Sequence, residues 1–241
     1  YYIFIRKWDM LEFLGIGNSF STKNLNTSAY FVQNNIFYLI DCGENIFGRI
    51  NELKPYEKCN KVIVLLTHFH SDHIGSLGTF VFSLCNYGFK NNDIILFHPN
   101  KKKLKQVVTL FGLLEDCIIT NDLHLLGKRF KCFKQKHYDD YSYGYLFKQN
   151  NELIYYSGDT SEIPSEIVQL FNNGEISKLY IDVTLYDHWG YHLPIAKLKT
   201  MLNKNYFDRV YCMHLPDQLT YEEIKNYGFN VANFINKNKE Q

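Results

Sequence analysis

The chain has 241 residues, 46% of them hydrophobic and 21% charged, with a formal net charge of +1. That is the profile of a globular protein of one large domain or two small ones. The near-neutral balance excludes a whole-molecule field for nucleic acid or membrane surfaces, and no apolar run approaches the ~18 residues of a membrane span.

Residue 1 is tyrosine, and residues 10–14 (Met-Leu-Glu-Phe-Leu) read as a first strand, so residues 1–9 are expected to be an N-terminal extension. Strand-like runs follow at 29–33 and 36–40, and 45–53 reads as a helix. The continuous apolar run at 61–66 reads as a strand buried on both faces. Residues 72–87 are expected to be helical, 93–97 a strand and 101–113 a helix. Strands are predicted near 129–135, 143–148 and 153–157. A helix is predicted at 164–171 with Pro164 in its first turn. A strand at 179–183, a helix at 194–202, a strand at 209–213 and a short helix at 221–226 complete the series. Hairpins first, then strand–helix alternation, suggest sheets sandwiched between helical layers. With only 5 prolines, no repeat and no linker-like stretch, a single domain over 1–241 is expected. Lys101, Lys102, Lys103 and Lys105 form the densest basic run, read as a solvated helix face. The 6 cysteines form no C-x-x-C pair, which signals neither a zinc ribbon nor a redox motif. Most sit among apolar neighbours as small buried hydrophobes, and with no leader recognised a cytoplasmic setting is expected.

The informative pattern is positional. Asp41, His68, Asp159 and His214 each follow an apolar strand directly or within two residues, where loops from several strands converge. The segment 67–73, Thr-His-Phe-His-Ser-Asp-His, packs three imidazoles and a carboxylate together. On an extended stretch His68 and His70 point the same way, while Asp72 and His73, opening a helix, face a second point nearby. Such nitrogen and carboxylate donors suit Zn²⁺, and also Mn²⁺ or Fe. A helix-capping aspartate among surface histidines would explain the segment without a metal, but chance rarely places four donors so tightly.

His68, His70, Asp72 and His73 in this spacing resemble the signature of the metallo-β-lactamase superfamily. The resemblance implies an α/β fold, a four-layer αββα sandwich with a two-metal site along one edge. Asp41 in Ile-Asp-Cys-Gly then matches the acidic residue that buttresses the histidine loop. His137 in Lys-His-Tyr matches the third histidine of the first metal, although His124 is a rival. Asp159 in Ser-Gly-Asp-Thr matches the carboxylate bridging both metals, and His214 in Cys-Met-His-Leu the last ligand of the second. The implied sets are His68, His70, His137 and Asp159 on one ion, and Asp72, His73, Asp159 and His214 on the other. His98 before Pro99 is read as structural and His188 as exposed.

Asp159 also marks the branch. Relatives close to the lactamases themselves carry cysteine there, whereas aspartate is usual in phosphodiesterase and lactonase branches. The Gly15 to Asn18 loop, the Ser-Tyr-Gly-Tyr at 142–145, and Gly190, Tyr191 and His192 resemble the ribonuclease Z side, although His192 lacks the usual Ser/Thr after it. Two metals supply a nucleophilic bridging water and charge neutralisation, and His192 can protonate the leaving oxygen. Asp72 and His192 are therefore the candidate catalytic residues. Ribonuclease Z carries a long tRNA-gripping arm between its third histidine and bridging aspartate, and the interval from His137 to Asp159 leaves no room for one. The likeness is greatest to the small cyclic-nucleotide phosphodiesterases of the anti-Pycsar family. That implies a small phosphodiester substrate such as a cyclic mononucleotide, a homodimer, and no membrane or stable nucleic-acid partner. Tyr138, Tyr141, Trp189 and Tyr191 flank His137 and His192 and can stack on a base or simply pack. A lactone or thioester hydrolase, a ribonuclease Z-like nuclease acting on RNA, and a metal-free scaffold remain the alternatives.

Overall fold

The apolar runs pair into two sheets of six strands each, with the same internal plan. The computed structural model describes residues 11–126, 130–186 and 189–234. The expected extension 1–9, Arg129 at the start of one predicted strand, and His188 lie outside them. The first sheet runs in chain order: β1 (Glu12–Gly15), β2 (Ser28–Gln33), β3 (Ile36–Ile40), β4 (Lys61–Leu65), β5 (Ile94–Phe97) and β6 (Ile118–Thr120). The second holds β7 (Phe130–Lys134), β8 (Tyr143–Gln149), β9 (Glu152–Tyr156), β10 (Lys178–Asp182), β11 (Val210–Met213) and β12 (Asn230–Val231). Each begins with antiparallel hairpins and continues parallel, from β3 onward in one and from β9 onward in the other. Parallel neighbours need crossovers, which the helices provide. These are α1 (Ile46–Leu53), α2 (Ser71–Ile74), α3 (Leu77–Asn86), α4 (Lys101–Leu110), α5 (Ser165–Asn172), α6 (Ile195–Met201) and α7 (Tyr221–Asn226).

The two-residue period of a strand explains the layers. In β4, Val62 and Val64 pack with Ile46, Leu77, Phe80 and Leu104 of the helices. Ile63 and Leu65 point the other way, into the core shared with the second sheet. A strand buried on both faces must be apolar throughout, which is what 61–66 showed in sequence. Between the sheets the contact is aromatic: Phe31 stacks on Phe147 with centroids 5.4 Å apart, and Phe13 meets Tyr180 at 5.1 Å. Much of the 17% aromatic content goes into this seam, where each ring buries a large apolar area. On the far side of the second sheet, Ile167 and Phe171 of α5, Leu198 of α6 and Ile224 of α7 join the same core. The order helix, sheet, sheet, helix is the αββα sandwich.

Some predicted boundaries need correction. The helix expected over 72–87 is two, broken at Gly75 and Ser76. The Ser76 hydroxyl donates to the Gly43 carbonyl at 2.5 Å, and a Cβ on Gly75 would lie 2.6 Å from the Ser71 carbonyl oxygen. The break swings α3 away while α2 keeps Asp72 and His73 at the sheet edge. The helix from Lys101 stops at Leu110 rather than 113. The edge strands β6 and β12 were not foreseen, being too short to show a period. Cys42, Cys117 and Cys212 are buried, and Cys59, Cys85 and Cys132 half-buried, all as free thiols. No described helix is long and apolar enough to cross a membrane.

Candidate metal centre

All parallel strands of both sheets end at one edge, and the polar residues that follow them converge there. Two of these residues carry a backbone conformation that side chains other than glycine seldom adopt: Asp41 has φ 62° and His214 has φ 58°. Such residues cost about 1–3 kcal/mol each and persist where the surroundings impose them. The Asp41 carboxylate accepts from the Thr67 backbone N–H at 2.8 Å and the Thr67 hydroxyl at 2.7 Å, so it clamps the start of the histidine loop. Gly158, at φ 61°, brings the loop after β9 so close that a Cβ would lie 2.8 Å from that of Thr67.

The seven residues expected to hold metal come together. His68 Nε2, His70 Nδ1, His137 Nε2 and Asp159 Oδ2 form one set, with separations of 3.1 Å (His68 to His70), 3.4 Å (His70 to His137), 3.7 Å (His68 to Asp159) and 3.8 Å (His137 to Asp159). In the second set, His73 Nε2 lies 3.3 Å from both Asp72 Oδ2 and Asp159 Oδ1, and His214 Nε2 lies 3.3 Å from both Asp72 Oδ2 and Asp159 Oδ2. A tetrahedron with edges of about 3.3 Å has its centre about 2.0 Å from each corner, which is the bond zinc makes to nitrogen and oxygen.

Hydrogen-bond partners on the outer ring nitrogens assign the tautomers. His73 Nδ1 donates to Asp41 Oδ2 at 2.8 Å, and His137 Nδ1 donates to the Tyr191 carbonyl at 3.0 Å. His68 Nδ1 donates to the Thr67 hydroxyl oxygen at 3.1 Å, which frees that hydroxyl's own proton for Asp41. Each ring then turns a lone pair inward. His73 Nε2 is buried and has no hydrogen-bond partner, an arrangement that is costly unless a cation takes the lone pair. The donor chemistry and the spacing both fit divalent metal ions.

The electrostatics agree. Burial disfavours a charged His73, yet Asp159, Asp72 and Asp41 outweigh burial and hold its pKa well above the ordinary range. Burial likewise opposes charge on His214, but Asp159 and Asp182 lift it to about 10. Burial would raise Asp159, and the surrounding His214, His73 and His68 hold it well below the usual carboxylate range instead. The centre is a buried field of carboxylates that favours positive charge.

His192 lies beside this centre, outside both sets. Its Nδ1 donates to Asp182 Oδ2 at 2.8 Å, and its ring stacks on His214 with centroids 5.1 Å apart. Burial pushes the imidazole down, but the Asp182 charge and hydrogen bond prevail and raise it. With Nδ1 committed to Asp182, Nε2 is left for the cavity of ≈ 460 Å³ that His192 lines together with His70, Asp72, Asp159 and His214. Asp182 is the residue that sequence reasoning missed. It also receives the Thr160 backbone N–H at 3.0 Å and lies 3.3 Å from His214 Nδ1. A signal existed, because Asp182 ends a buried strand (Leu-Tyr-Ile-Asp) just as Asp41 follows one.

Other candidates are not among the donors. His98 is buried between backbone groups, its Nδ1 accepting from Asn100 and its Nε2 donating to the Tyr141 carbonyl, which makes it structural. His124 is exposed and belongs to neither set. Tyr138 and Trp189 are exposed, and Tyr138 meets Tyr191 at 5.2 Å.

Fold and donor sets together define a metal-dependent hydrolase of the metallo-β-lactamase fold. The family described as Anti-Pycsar protein Apyc1 matches residues 10–115 and 99–240, and the chain belongs to that family. It is 26% identical over 232 residues to the anti-Pycsar protein of Paenibacillus xerothermodurans, covering 87% of this chain and 88% of that one. It is 28% identical over 194 residues to ribonuclease Z of Oceanobacillus iheyensis, covering 70% of this chain and 60% of that protein. Among solved structures, a diphosphatase of the PhnP family superposes with a TM-score of 0.72 at 19% identity, over 93% of this chain and 94% of the other.

Proposed function

We propose that the protein is a binuclear phosphodiesterase that hydrolyses a small phosphodiester, in the first instance a cyclic mononucleotide, and that it acts as a homodimer. Three four-donor groups share Asp159, and the observation carrying this reading is that two of them comprise the seven expected ligands while the third joins Asp159 and His214 to the His192–Asp182 pair. Zn²⁺ is the ion best suited to these donors, with Mn²⁺ or Fe also compatible. Family membership and the diphosphatase likeness support phosphorus–oxygen cleavage. The small substrate is supported by the chain between His137 and Asp159. It is a plain hairpin of β8 and β9 turned at Asn150 and Asn151, both with positive φ as a tight two-residue turn demands.

His68, His70, His137 and Asp159 would hold one ion, and Asp72, His73, His214 and the shared Asp159 the other. Bound there, the ions would lower the pKa of water and draw charge from the phosphoryl oxygens. Asp72, lining the same cavity, takes the proton that the attacking water gives up. A new oxygen–phosphorus bond forms and one ester bond breaks. His192 Nε2 delivers its proton to the departing alkoxide while Asp182 holds Nδ1. Asp41 keeps His73 in the tautomer that presents Nε2.

A substrate panel with added Zn²⁺ or Mn²⁺ tests this: cyclic mononucleotides, bis-p-nitrophenyl phosphate, precursor tRNA and lactones. Turnover of the cyclic and small linear diesters is expected, with no cleavage at a tRNA 3′ end. Efficient tRNA cleavage would move the protein to the ribonuclease Z type. Lactone hydrolysis without diester hydrolysis would make it a carbonyl hydrolase.

A further inference from the structure

The connection from β1 to β2 reaches the mouth of the catalytic cavity without supplying a metal donor. Its stem is joined to the loop that carries His214. Leu215 N–H donates to the Ile16 carbonyl at 2.7 Å, and Asn18 N–H donates to the Leu215 carbonyl at 3.2 Å. Thr27, at the far end of the connection, receives the His214 N–H on its hydroxyl at 3.1 Å. The tip is closed on itself: Phe20 N–H donates to the Asn18 side chain at 3.1 Å, and Asn24 N–H to the Ser21 hydroxyl at 3.1 Å. Asp217 then pins the tip from outside. One carboxylate oxygen accepts the Ser21 hydroxyl at 2.6 Å, and the other accepts the Thr22 N–H at 3.0 Å and the Thr22 hydroxyl at 2.8 Å. These bonds hold the Asp217 carboxyl down to about 2, so at neutral pH it is the ionised, stronger acceptor. Tyr221 adds a longer contact, its hydroxyl donating to the Asn24 side chain at 3.3 Å.

The loop so fastened carries one large side chain that folding does not use. Phe20 is 87% exposed, more than any other large apolar residue among those described. A single exposed ring is ordinary on a surface, but this ring and Ser19 line the cavity together with Asp72, His192 and His214. Burial of a phenyl ring is among the larger apolar gains a fold can make, and the pinned loop forgoes it.

We propose that Asp217 is a positioning residue that holds Phe20 as a size filter at the cavity mouth, admitting compact diesters and turning away a continuous polynucleotide. This inference rests on the phosphodiesterase reading above and deepens it. A diester inside a polymer continues in two directions from its phosphorus, so the chain must pass the rim twice. A compact diester passes it once. A fixed ring at the rim therefore clashes with the polymer and not with the small substrate, which is discrimination by exclusion rather than by added affinity. A mobile ring would swing aside, and the three bonds to Asp217 prevent that.

The test compares the metal-loaded full chain with its Phe20→Ala, Asp217→Ala and double variants. One readout is the ratio of kcat/KM on a single-stranded oligothymidylate to that on bis-p-nitrophenyl phosphate. Each single substitution is expected to raise the ratio about tenfold, and the double variant no further, since both act on one ring. General damage to the fold does not produce a gain on the larger substrate. The other readout is amide hydrogen exchange. Asp217→Ala should speed exchange at Thr22 by about tenfold and leave β2 unchanged. An unchanged ratio in Phe20→Ala, or a wild-type chain that cleaves the oligothymidylate as readily as the small diester, overturns the filter and leaves a metal-dependent diesterase. A ratio raised by Phe20→Ala but not by Asp217→Ala, or unchanged exchange at Thr22 in Asp217→Ala, overturns the role of Asp217. If the wild-type chain hydrolyses neither substrate, the phosphodiesterase reading fails and the filter falls with it.

Discussion

Asp41 and Asp182 occupy matching places in the two sheets and differ in one respect. Each stands at the end of a buried parallel strand, and each accepts a backbone N–H from the loop after a neighbouring strand, Thr67 for one and Thr160 for the other. Each holds a histidine by Nδ1 at 2.8 Å, His73 in one half and His192 in the other. The side chains of the first pair are 1% and 0% exposed, whereas His192 is 32% exposed against 1% for Asp182. The same carboxylate–imidazole unit therefore serves two ends. Sealed from water, it fixes a lone pair on a point between carboxylates. Opened to a cavity, it holds a ring whose other nitrogen can exchange a proton with a substrate. Burial, rather than residue type, distinguishes His73 from His192.

The strongest way to break this comparison is to remove what both halves share. Asp159→Ala takes one donor from each set, so both ions should be lost and turnover should fall to background. Metal content by elemental analysis checks it, and retention of two ions per chain would refute the shared role.

Next in size is His192→Ala. It should keep both ions and the fold, and lose about 10²–10⁴-fold in turnover, as removal of a positioned general acid does. The loss should be severe on a cyclic nucleotide, whose alkoxide needs a proton, and milder on bis-p-nitrophenyl phosphate, whose phenolate leaves unaided. Equal losses on the two substrates would mean that His192 only binds phosphate or supports its loop.

The smallest effects separate the two aspartates. Asp41→Asn should weaken metal affinity by about 10–100-fold, the usual consequence of removing a carboxylate behind a metal-bound histidine. Asp182→Asn should act on the pH profile. Asp182 raises the His192 pKa, and the protonated ring is the acid, so turnover is lost as pH rises through that raised value. Without the carboxylate charge, the loss should begin at lower pH. If Asp41→Asn moved the pH limb and Asp182→Asn emptied the site, the two units would have been assigned the wrong way round.

The halves also differ in how far they could be read. His68, His70, Asp72 and His73 lie within one short segment, so their chemistry shows as spacing. Asp159, Asp182, His192 and His214 are scattered, one or two to a loop, and each alone is an ordinary polar residue after a strand. Family resemblance placed Asp159, His192 and His214, while Asp182 went unnoticed because no neighbour in the chain advertises it. Most strands and helices were legible because burial on one or both faces imposes a period. The break at Gly75 and Ser76 was not, because its cause is a Ser76–Gly43 contact between segments distant in the chain.

By itself, then, the amino-acid order determined the layered α/β architecture, the histidine segment and the placing of Asp41 and Asp159 after strands, since these follow from local periodicity and spacing. Tertiary structure alone decided which nitrogen of each imidazole faces the centre, because that depends on partners such as Tyr191 for His137 and Asp182 for His192. It also decided that Lys103 leaves its solvated helix face to line a cavity beside His70. Hydrogen-bond partnership and burial are set by atoms far apart in the chain, and they become defined only once the two sheets have packed.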